Sequence, residues 1–196
     1  GFQSGMSITT GISNTLVGGL AGDALTTGTG NVAVGYFALS TDDAGGRSVA
    51  IGQGALKLQN GGDANVYNTA VGYEAGKNMT SGLNNTIVGG QAGISLTTGG
   101  QNVVLGRQAL YTEDTGGRNI AIGDRALYDA NYDGNAMNVA VGHDAGDDIS
   151  TGIQNTVIGG NAASTNITTG SNNIVIGYNA QAAAADSSNT TVIGTT

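Results

Sequence analysis

The chain has 196 residues and an unusual composition: 36 are Gly, none is Pro, Cys or Trp, and only 10% are charged. Abundant Gly without Pro excludes collagen, and a 39% hydrophobic content with so few charges argues against disorder. The net charge is −8, with six Lys and Arg residues in all, so the chain lacks the cation clusters that bind nucleic acid or an anionic membrane. No apolar run approaches the roughly 20 residues that cross a bilayer. We therefore predict neither nucleic-acid binding nor membrane insertion.

Internal repeats cover the whole chain, and their unit reads N-x-x-[V/I/L]-G-x-x-A. Most copies are 17 residues apart, and four consecutive copies form a longer unit of about 71 residues. We expect residues 1–196 to be a single repeat domain and a window of a longer array. The eleven copies begin at Asn14, Asn31, Ser48, Asn68, Asn85, Asn102, Asn119, Asn138, Asn155, Asn173 and Thr190, and the last copy is truncated.

The first five residues of each copy are predicted to form a short strand that ends at a Gly. These segments are rich in Val, Ile and Thr, which favour strands, and they are too short for a helix. Because strand side chains alternate, positions two and four of a copy share one face and position three lies on the other. In chain order the segments are residues 14–18, 31–35, 48–52, 68–72, 85–89, 102–106, 119–123, 138–142, 155–159, 173–177 and 190–194.

Apolar residues occupy both faces of these strands, which predicts that both faces are buried. Since one solenoid has only one interior, we assign position four to the core and position three to contacts with further copies of the chain. Ala at many third positions would let three rods approach closely, although a dimer or a lateral sheet of rods also fits the pattern. The core- and repeat-defining residues are Val17, Val34, Ile51, Val71, Val88, Leu105, Ile122, Val141, Ile158 and Ile176, with Gly18, Gly35, Gly52, Gly72, Gly89, Gly106, Gly123, Gly142, Gly159 and Gly177. The trimer-contact candidates are Leu16, Ala33, Ala50, Ala70, Ile87, Val104, Ala121, Ala140, Val157 and Val175.

These features predict an all-β fold, a parallel β-solenoid of about eleven 17-residue coils that is intertwined or packed as a homotrimer. The recurrent Asn at position one is expected to form a hydrogen-bonded ladder between coils. The Gly at position five should supply a turn or a close backbone contact that a Cβ would obstruct, and the Ala at position eight a small inward side chain. The second half of each copy is predicted to hold a weaker strand and then a Gly-rich loop.

The sequence offers no recognisable set of nucleophile, base and orienting group, so we predict no enzyme activity and no cofactor. The one His, His143, is interpreted as a solvated residue at a coil edge. Oxygen-rich loops can bind Ca²⁺, but the nonapeptide of calcium-binding β-rolls is missing. We therefore predict no metal site, and interpret the acidic pairs as solvated loop residues beside Arg47 and Arg118, which are expected to form local or inter-chain ion pairs. The acidic pairs are Asp42/Asp43, Glu113/Asp114 and Asp147/Asp148.

Three Tyr residues share the sixth position of their copies, directly after the Gly turn. Exposed aromatic rings can stack on sugars. The alternative, which we favour, is that the rings shield the edge of the coil or pack between chains. These surface-binding candidates are Tyr36, Tyr73 and Tyr178.

The motif N-[T/S/V]-[A/V]-[V/I]-G-x-x-A, as in NTAVGYEAG at residues 68–76 and SVAIGQGAL at residues 48–56, resembles the NTAVGY-type repeats of phage tail fibres and spikes. It is also similar to the related β-roll head of trimeric autotransporter adhesins. Both resemblances cover nearly the whole chain and imply a left-handed β-roll and a homotrimer.

The tail-fibre resemblance implies a virion structural protein, a rod that supports attachment to the host cell surface, with host carbohydrate or protein as a further partner. The adhesin resemblance implies instead the head of a bacterial cell-surface adhesin. A remote third alternative is an ice-binding solenoid. The adjacent Thr pairs of this chain, however, would point to opposite sides instead of forming a flat T-x-T surface.

Overall fold

The computed structural model describes residues 1–165 and 167–195. Within them lie eleven strands of three residues, one in each copy of the repeat and each inside a predicted strand segment. They are β1 (Thr15–Val17), β2 (Val32–Val34), β3 (Val49–Ile51), β4 (Thr69–Val71), β5 (Thr86–Val88), β6 (Val103–Leu105), β7 (Ile120–Ile122), β8 (Val139–Val141), β9 (Thr156–Ile158), β10 (Ile174–Ile176) and β11 (Thr191–Ile193).

The strands form one parallel sheet whose order is the order of the chain, from β1 to β11. Equivalent positions of consecutive copies lie side by side, as Leu16 does with Ala33 and Val104 with Ala121. Because each strand pairs with the next along the chain, the backbone winds through about ten turns between the first strand and the last. The predicted all-β parallel solenoid is confirmed.

The Asn residues at position one form the ladder that the repeat predicts. Asn102 Oδ1 accepts the backbone N–H of Asn119 at 2.8 Å, and its Nδ2 donates to the carbonyl oxygen of Gly116 at 3.0 Å. Both residues of this rung are buried. The carboxamide thus pairs an N–H and a loop carbonyl inside the coil, where an unpaired backbone group would be costly.

Each strand ends at a Gly whose φ lies between +123° and +144°. A Cβ on Gly35 would also lie 2.5 Å from the carbonyl oxygen of Gly52 in the next coil, so both predicted reasons for Gly apply. The turn that follows contains further left-handed residues, such as Phe37 and Leu39. An extended strand cannot form there. The prediction of a weaker second strand is therefore wrong, since the described residues in that half of each copy form turns and bends.

The two faces of the strands are the reverse of those assigned from the sequence. The third position of β2–β10 is fully buried inside one chain, whereas fourth-position residues such as Val17 and Ile51 are 55% and 37% exposed. The coil is narrow, and the Ala of position eight is buried inside every complete copy, as predicted. Its interior therefore suits the third position, which is Ala in many copies, better than the fourth, which is always Val, Ile or Leu. The residues inside are Leu16, Ala33, Ala50, Ala70, Ile87, Val104, Ala121, Ala140, Val157 and Val175, and those outside are Val17, Val34, Ile51, Val71, Val88, Leu105, Ile122, Val141, Ile158 and Ile176.

In the coils that begin at residues 14 to 138, pairs of coils fill the remaining core in two alternating ways, which matches the four-copy unit. In one kind, Gly at position nine makes room for a large apolar side chain at position twelve; a Cβ on Gly93 would lie 2.8 Å from Leu96 Cδ1. In the other kind, position nine is Leu and position twelve is polar or small, as in Leu110 and Glu113. Leu96, Leu110 and Glu113 are all fully buried.

Candidate interaction surfaces

The second and fourth positions of β1–β11 form one continuous outward surface, which we call the outer strand face. Six strands carry aliphatic residues at both positions, and five carry Thr at the second and an aliphatic residue at the fourth. Exposed members include Val88 (38%), Ile158 (39%) and Ile174 (42%). At about 4.8 Å per coil the face is roughly 50 Å long and 7–10 Å wide, or on the order of 400 Å². Apolar patches of this size on soluble proteins commonly mark interaction sites.

The three Tyr candidates lie in separate coils, two residues beyond the ends of their strands. Tyr36 and Tyr73 are each 51% exposed, and Tyr178 is 67% exposed. The Tyr36 ring contacts Phe37 at 4.2 Å between centroids and covers Gly19 of the preceding coil, whose Cβ would lie 3.2 Å from the ring. Tyr36 therefore covers part of the preceding coil, and the roles of the three rings in sugar stacking or in packing between chains stay predictions.

A charged cluster surrounds Arg125. Its Nη2 lies 2.6 Å from Asp147 Oδ2, its Nε lies 3.6 Å from Asp144 Oδ1, and its guanidinium stands 4.8 Å above the centre of the Tyr128 ring. His143 Nδ1 lies 3.0 Å from Asp144 Oδ2, and the His143 side chain is 63% exposed. Burial raises the pKa of Asp147 to about 6 despite the Arg125 contact. These contacts form a charge network around Arg125.

Three of the acidic residues interpreted as solvated are instead buried: Asp147 is 9% exposed, and Asp42 and Glu113 are fully buried. The Asp42 carboxylate accepts hydrogen bonds from the N–H of Gly45 at 2.8 Å and from Nε2 of Gln59 at 2.7 Å. The Glu113 carboxylate accepts one from the N–H of Gly116 at 2.7 Å. Burial raises the pKa of both carboxyl groups. The solvated interpretation is wrong for Asp42 and Glu113 because Leu at position nine places position twelve inside the coil. The missed sequence signal is the Gly three residues after each of these two acids.

Two polar grooves occupy equivalent positions of the duplicated units. The coils that begin at Ser48 and Asn119 are longer than 17 residues, and their extra residues form exposed loops beside the shorter preceding coils. The cavities along these loops measure about 210 Å³ and 370 Å³. The first groove is defined by Thr27, Ala44, Gly46, Asp63 and Asn65, and the second groove by Thr98, Thr115, Gly117, Gly134 and Asn135.

The Arg residues next to the grooves bind neutral groups. Arg47 Nη1 donates to the hydroxyl of Tyr67 at 2.5 Å, and Arg118 Nε donates to Gln101 Oε1 at 2.9 Å. Within the described chain neither Arg has an acidic side chain within 4.0 Å. Their expected local ion pairs are therefore absent from the part of the chain that the structure describes.

Several other kinds of site receive no support from the described residues. They contain no group of three or more His, Cys, Asp or Glu side chains arranged to hold a metal ion. None of their segments is a helix of the length and hydropathy needed to cross a membrane. Comparison with known proteins gave no matching family model, curated sequence or solved structure. The functional argument therefore depends on the outer strand face and the two grooves.

Proposed function

We propose that the chain is a rod segment of a phage tail fibre or a related injection-system fibre, in which three copies assemble and support attachment to a host cell surface. The observation that carries the proposal is the outer strand face. This face carries an aliphatic side chain at the fourth position of every strand, although the interior of the coil is already filled by the third-position side chains. A single chain has no further element to cover it among the described residues.

The size of this face supports association with other copies of the chain. Burying on the order of 400 Å² of apolar surface per chain would contribute about 10 kcal/mol before the cost of association is subtracted. The number three and the left-handed winding come from the resemblance to tail-fibre repeats. The Asn ladder and the parallel sheet bond each coil to the next along the rod, which suits a mechanical role.

The oligomeric mass in solution tests the proposal. Light scattering on the purified chain is expected to give three times the 19.2 kDa mass of one chain. Ile51→Lys places a charge on the outer strand face and should shift the sample to monomer, because a Lys ammonium in an apolar interface loses its hydration without a partner.

Leu58→Lys is the matched control, since Leu58 is 39% exposed and Ile51 37% exposed, and Leu58 lies outside the outer strand face. We expect this variant to keep the mass of the unaltered chain, and circular dichroism should show both variants folded. A stable monomer of the unaltered chain, or equal dissociation by the two substitutions, would contradict the proposal.

The Thr residues of the outer strand face bear on the ice-binding alternative. Thr occupies the second position of β1, β4, β5, β9 and β11, but the other six strands carry two aliphatic residues there. This mixture suits contact with protein better than an ordered water layer. Thermal hysteresis by the purified chain would favour ice binding instead.

An adhesin head would use the same rod and the same outer strand face, so oligomeric mass cannot separate it from a fibre. The natural flanking sequence can separate the two alternatives. A coiled-coil stalk followed by a membrane anchor would identify an adhesin, and a domain that attaches to a particle would identify a fibre.

A further inference from the structure

The two grooves are built in the same way, although they lie 71 residues apart in the chain. In each, an exposed loop is fixed to the preceding coil by an isolated parallel bridge, Gly46 with Asn65 in the first groove and Gly117 with Asn135 in the second. The first residue of each bridge must be Gly, because a side chain would collide with the preceding coil. A Cβ on Gly46 would lie 2.8 Å from the Thr29 carbonyl oxygen, and one on Gly117 would lie equally close to that of Gly100.

Several polar side chains of the grooves have no partner within the described residues. Asn65 and Asn135 are exposed, and their amides lie over Gly46 and Gly117, with Oδ1 atoms 3.2 Å and 3.0 Å from the positions that a Cβ would take. Neither carboxamide, nor the hydroxyl of Thr98, makes a hydrogen bond within the described residues. Each groove therefore offers unpaired donors and acceptors in a concave surface of fixed backbone.

We infer that the paired grooves bind neutral, hydroxyl-rich ligands, namely the sugar residues of a surface glycan. Hydroxyl and carboxamide groups match sugar hydroxyls in donor and acceptor capacity. The second groove, at about 370 Å³, falls within the range of small-ligand sites, and the first, at about 210 Å³, is smaller. The inference names a ligand class for the attachment role proposed above and depends on the proposed function only for that role, since each groove lies within one chain.

The charges around the grooves favour a neutral ligand over an anionic one. Arg47 and Arg118 make hydrogen bonds to neutral groups, as described above, and keep their positive charges. Each groove also has a carboxylate, since Asp63 lines the first groove and Asp133, beside the second, accepts the hydroxyl of Thr115 at 2.8 Å. One charge of each sign beside each groove, in a chain of net charge −8, favours a neutral ligand over an acidic glycan or a nucleic acid, which would need a cluster of cations.

A large, partly exposed side chain follows the Asn of each groove along the chain. Tyr67 follows Asn65 by two residues and is 48% exposed, and the equivalent residue beside the second groove is Met137, which is 42% exposed. Tyrosine rings combine an apolar face with a polar hydroxyl. The Tyr67 ring already contacts Arg47, whose guanidinium lies 5.5 Å from the centre of the ring and donates to its hydroxyl.

The spacing of the grooves suits a repeating polymer. Gly46 and Gly117 lie in coils four steps apart, which corresponds to about 19 Å at 4.8 Å per coil. Two weak sites on one rigid rod bind a repeating chain more tightly than either site alone, because the second contact becomes intramolecular. Two sites on one rod can therefore hold a cell-surface polysaccharide together.

Saturation-transfer NMR and calorimetry on the full chain test the inference, with maltotetraose, cellotetraose and chitotetraose as neutral probes and a heparin tetrasaccharide as the anionic probe. We expect at least one neutral probe to bind with a dissociation constant in the millimolar range or below, and the heparin probe not to bind. The double variant Asn65→Ala/Asn135→Ala should weaken binding at least tenfold.

Asn131→Ala is the matched control, since Asn131 is exposed in the same long coil but outside the second groove, and it should bind as the unaltered chain does. Absence of binding by every neutral probe, preference for heparin, or undiminished binding by the double variant would overturn the inference. Light scattering on the same samples separates the two proposals. A trimer that binds no glycan refutes only the glycan site, and a monomer that binds glycan through Asn65 and Asn135 refutes only the assembly.

Discussion

At the scale of single residues, the Gly at position five is needed for two separate reasons. Gly72 has a φ of +139°, and a Cβ on it would lie 2.5 Å from the carbonyl oxygen of Gly89 in the next coil. Gly90, at position six of the next coil, has no restrictive φ and no atom within 4 Å of the position that its Cβ would take. The two residues differ only in the geometry that the coil imposes on them.

We therefore predict that Gly72→Ala lowers the free energy of unfolding by about 3 kcal/mol or more, since backbone strain and overpacking each cost about 1–3 kcal/mol. Gly90→Ala should change it by no more than about 0.5 kcal/mol. Urea unfolding followed by circular dichroism measures both. A similar loss for the two variants would show that composition, and not coil geometry, explains the Gly content.

The sequence predicts such residues well where the repeat isolates a single requirement. Asn at position one and Ala at position eight recur in nearly every copy, and their ladder and inward packing follow from known chemistry. The burial of Asp42 and Glu113 could not be predicted in this way. An acid beside a second acid in a Gly-rich segment looks solvated, and its burial depends on Leu39 and Leu110 occupying position nine of the same coils.

At the scale of the strand, alternation predicts which residues share a face but not which face is inside. Both sets are apolar here, and the assignment from the sequence was reversed. The available signal is Thr, which occurs at the second position of five strands, as in Thr69 and Thr86, and never at the third. A position that is Thr in five copies is expected to face solvent, and a position that is apolar in every copy is expected to face the core.

The Asn ladder predicts a large cost for losing one rung. Asn102→Ala removes the partners of the Gly116 carbonyl and the Asn119 N–H, both of which lie in the buried interior. An unpaired buried group costs about 1–3 kcal/mol, so we expect a loss of about 2–4 kcal/mol in the free energy of unfolding. Asn131→Ala, an exposed Asn outside the ladder, should leave chemical unfolding unchanged. Equal stability of the two variants would mean that water replaces the ladder.

At the scale of the whole molecule, each coil contacts mainly its neighbours, so stability should be nearly a sum over coils and their junctions. The alternation of core packing adds one condition, because a coil must meet a neighbour that its core fits. The coil that begins at Asn85 carries Leu96 at position twelve, and the coil before it carries Met79 at the same place. Both side chains are fully buried, so either coil can precede the one that begins at Asn102.

Deleting residues 85–101 therefore removes one whole coil and joins two coils whose cores are compatible. We predict a folded chain with one strand fewer, a similar circular dichroism signal per residue, and a midpoint of thermal unfolding lowered only slightly. Deleting residues 87–102 removes one residue less but leaves an additional residue between Asn85 and Gly106. The Asn ladder and the Gly turns then cannot both stay in register, and a slip of one residue moves apolar side chains to the wrong face. This second variant should unfold at a clearly lower temperature, and equal midpoints would show that the coils are not held in register by these two rows.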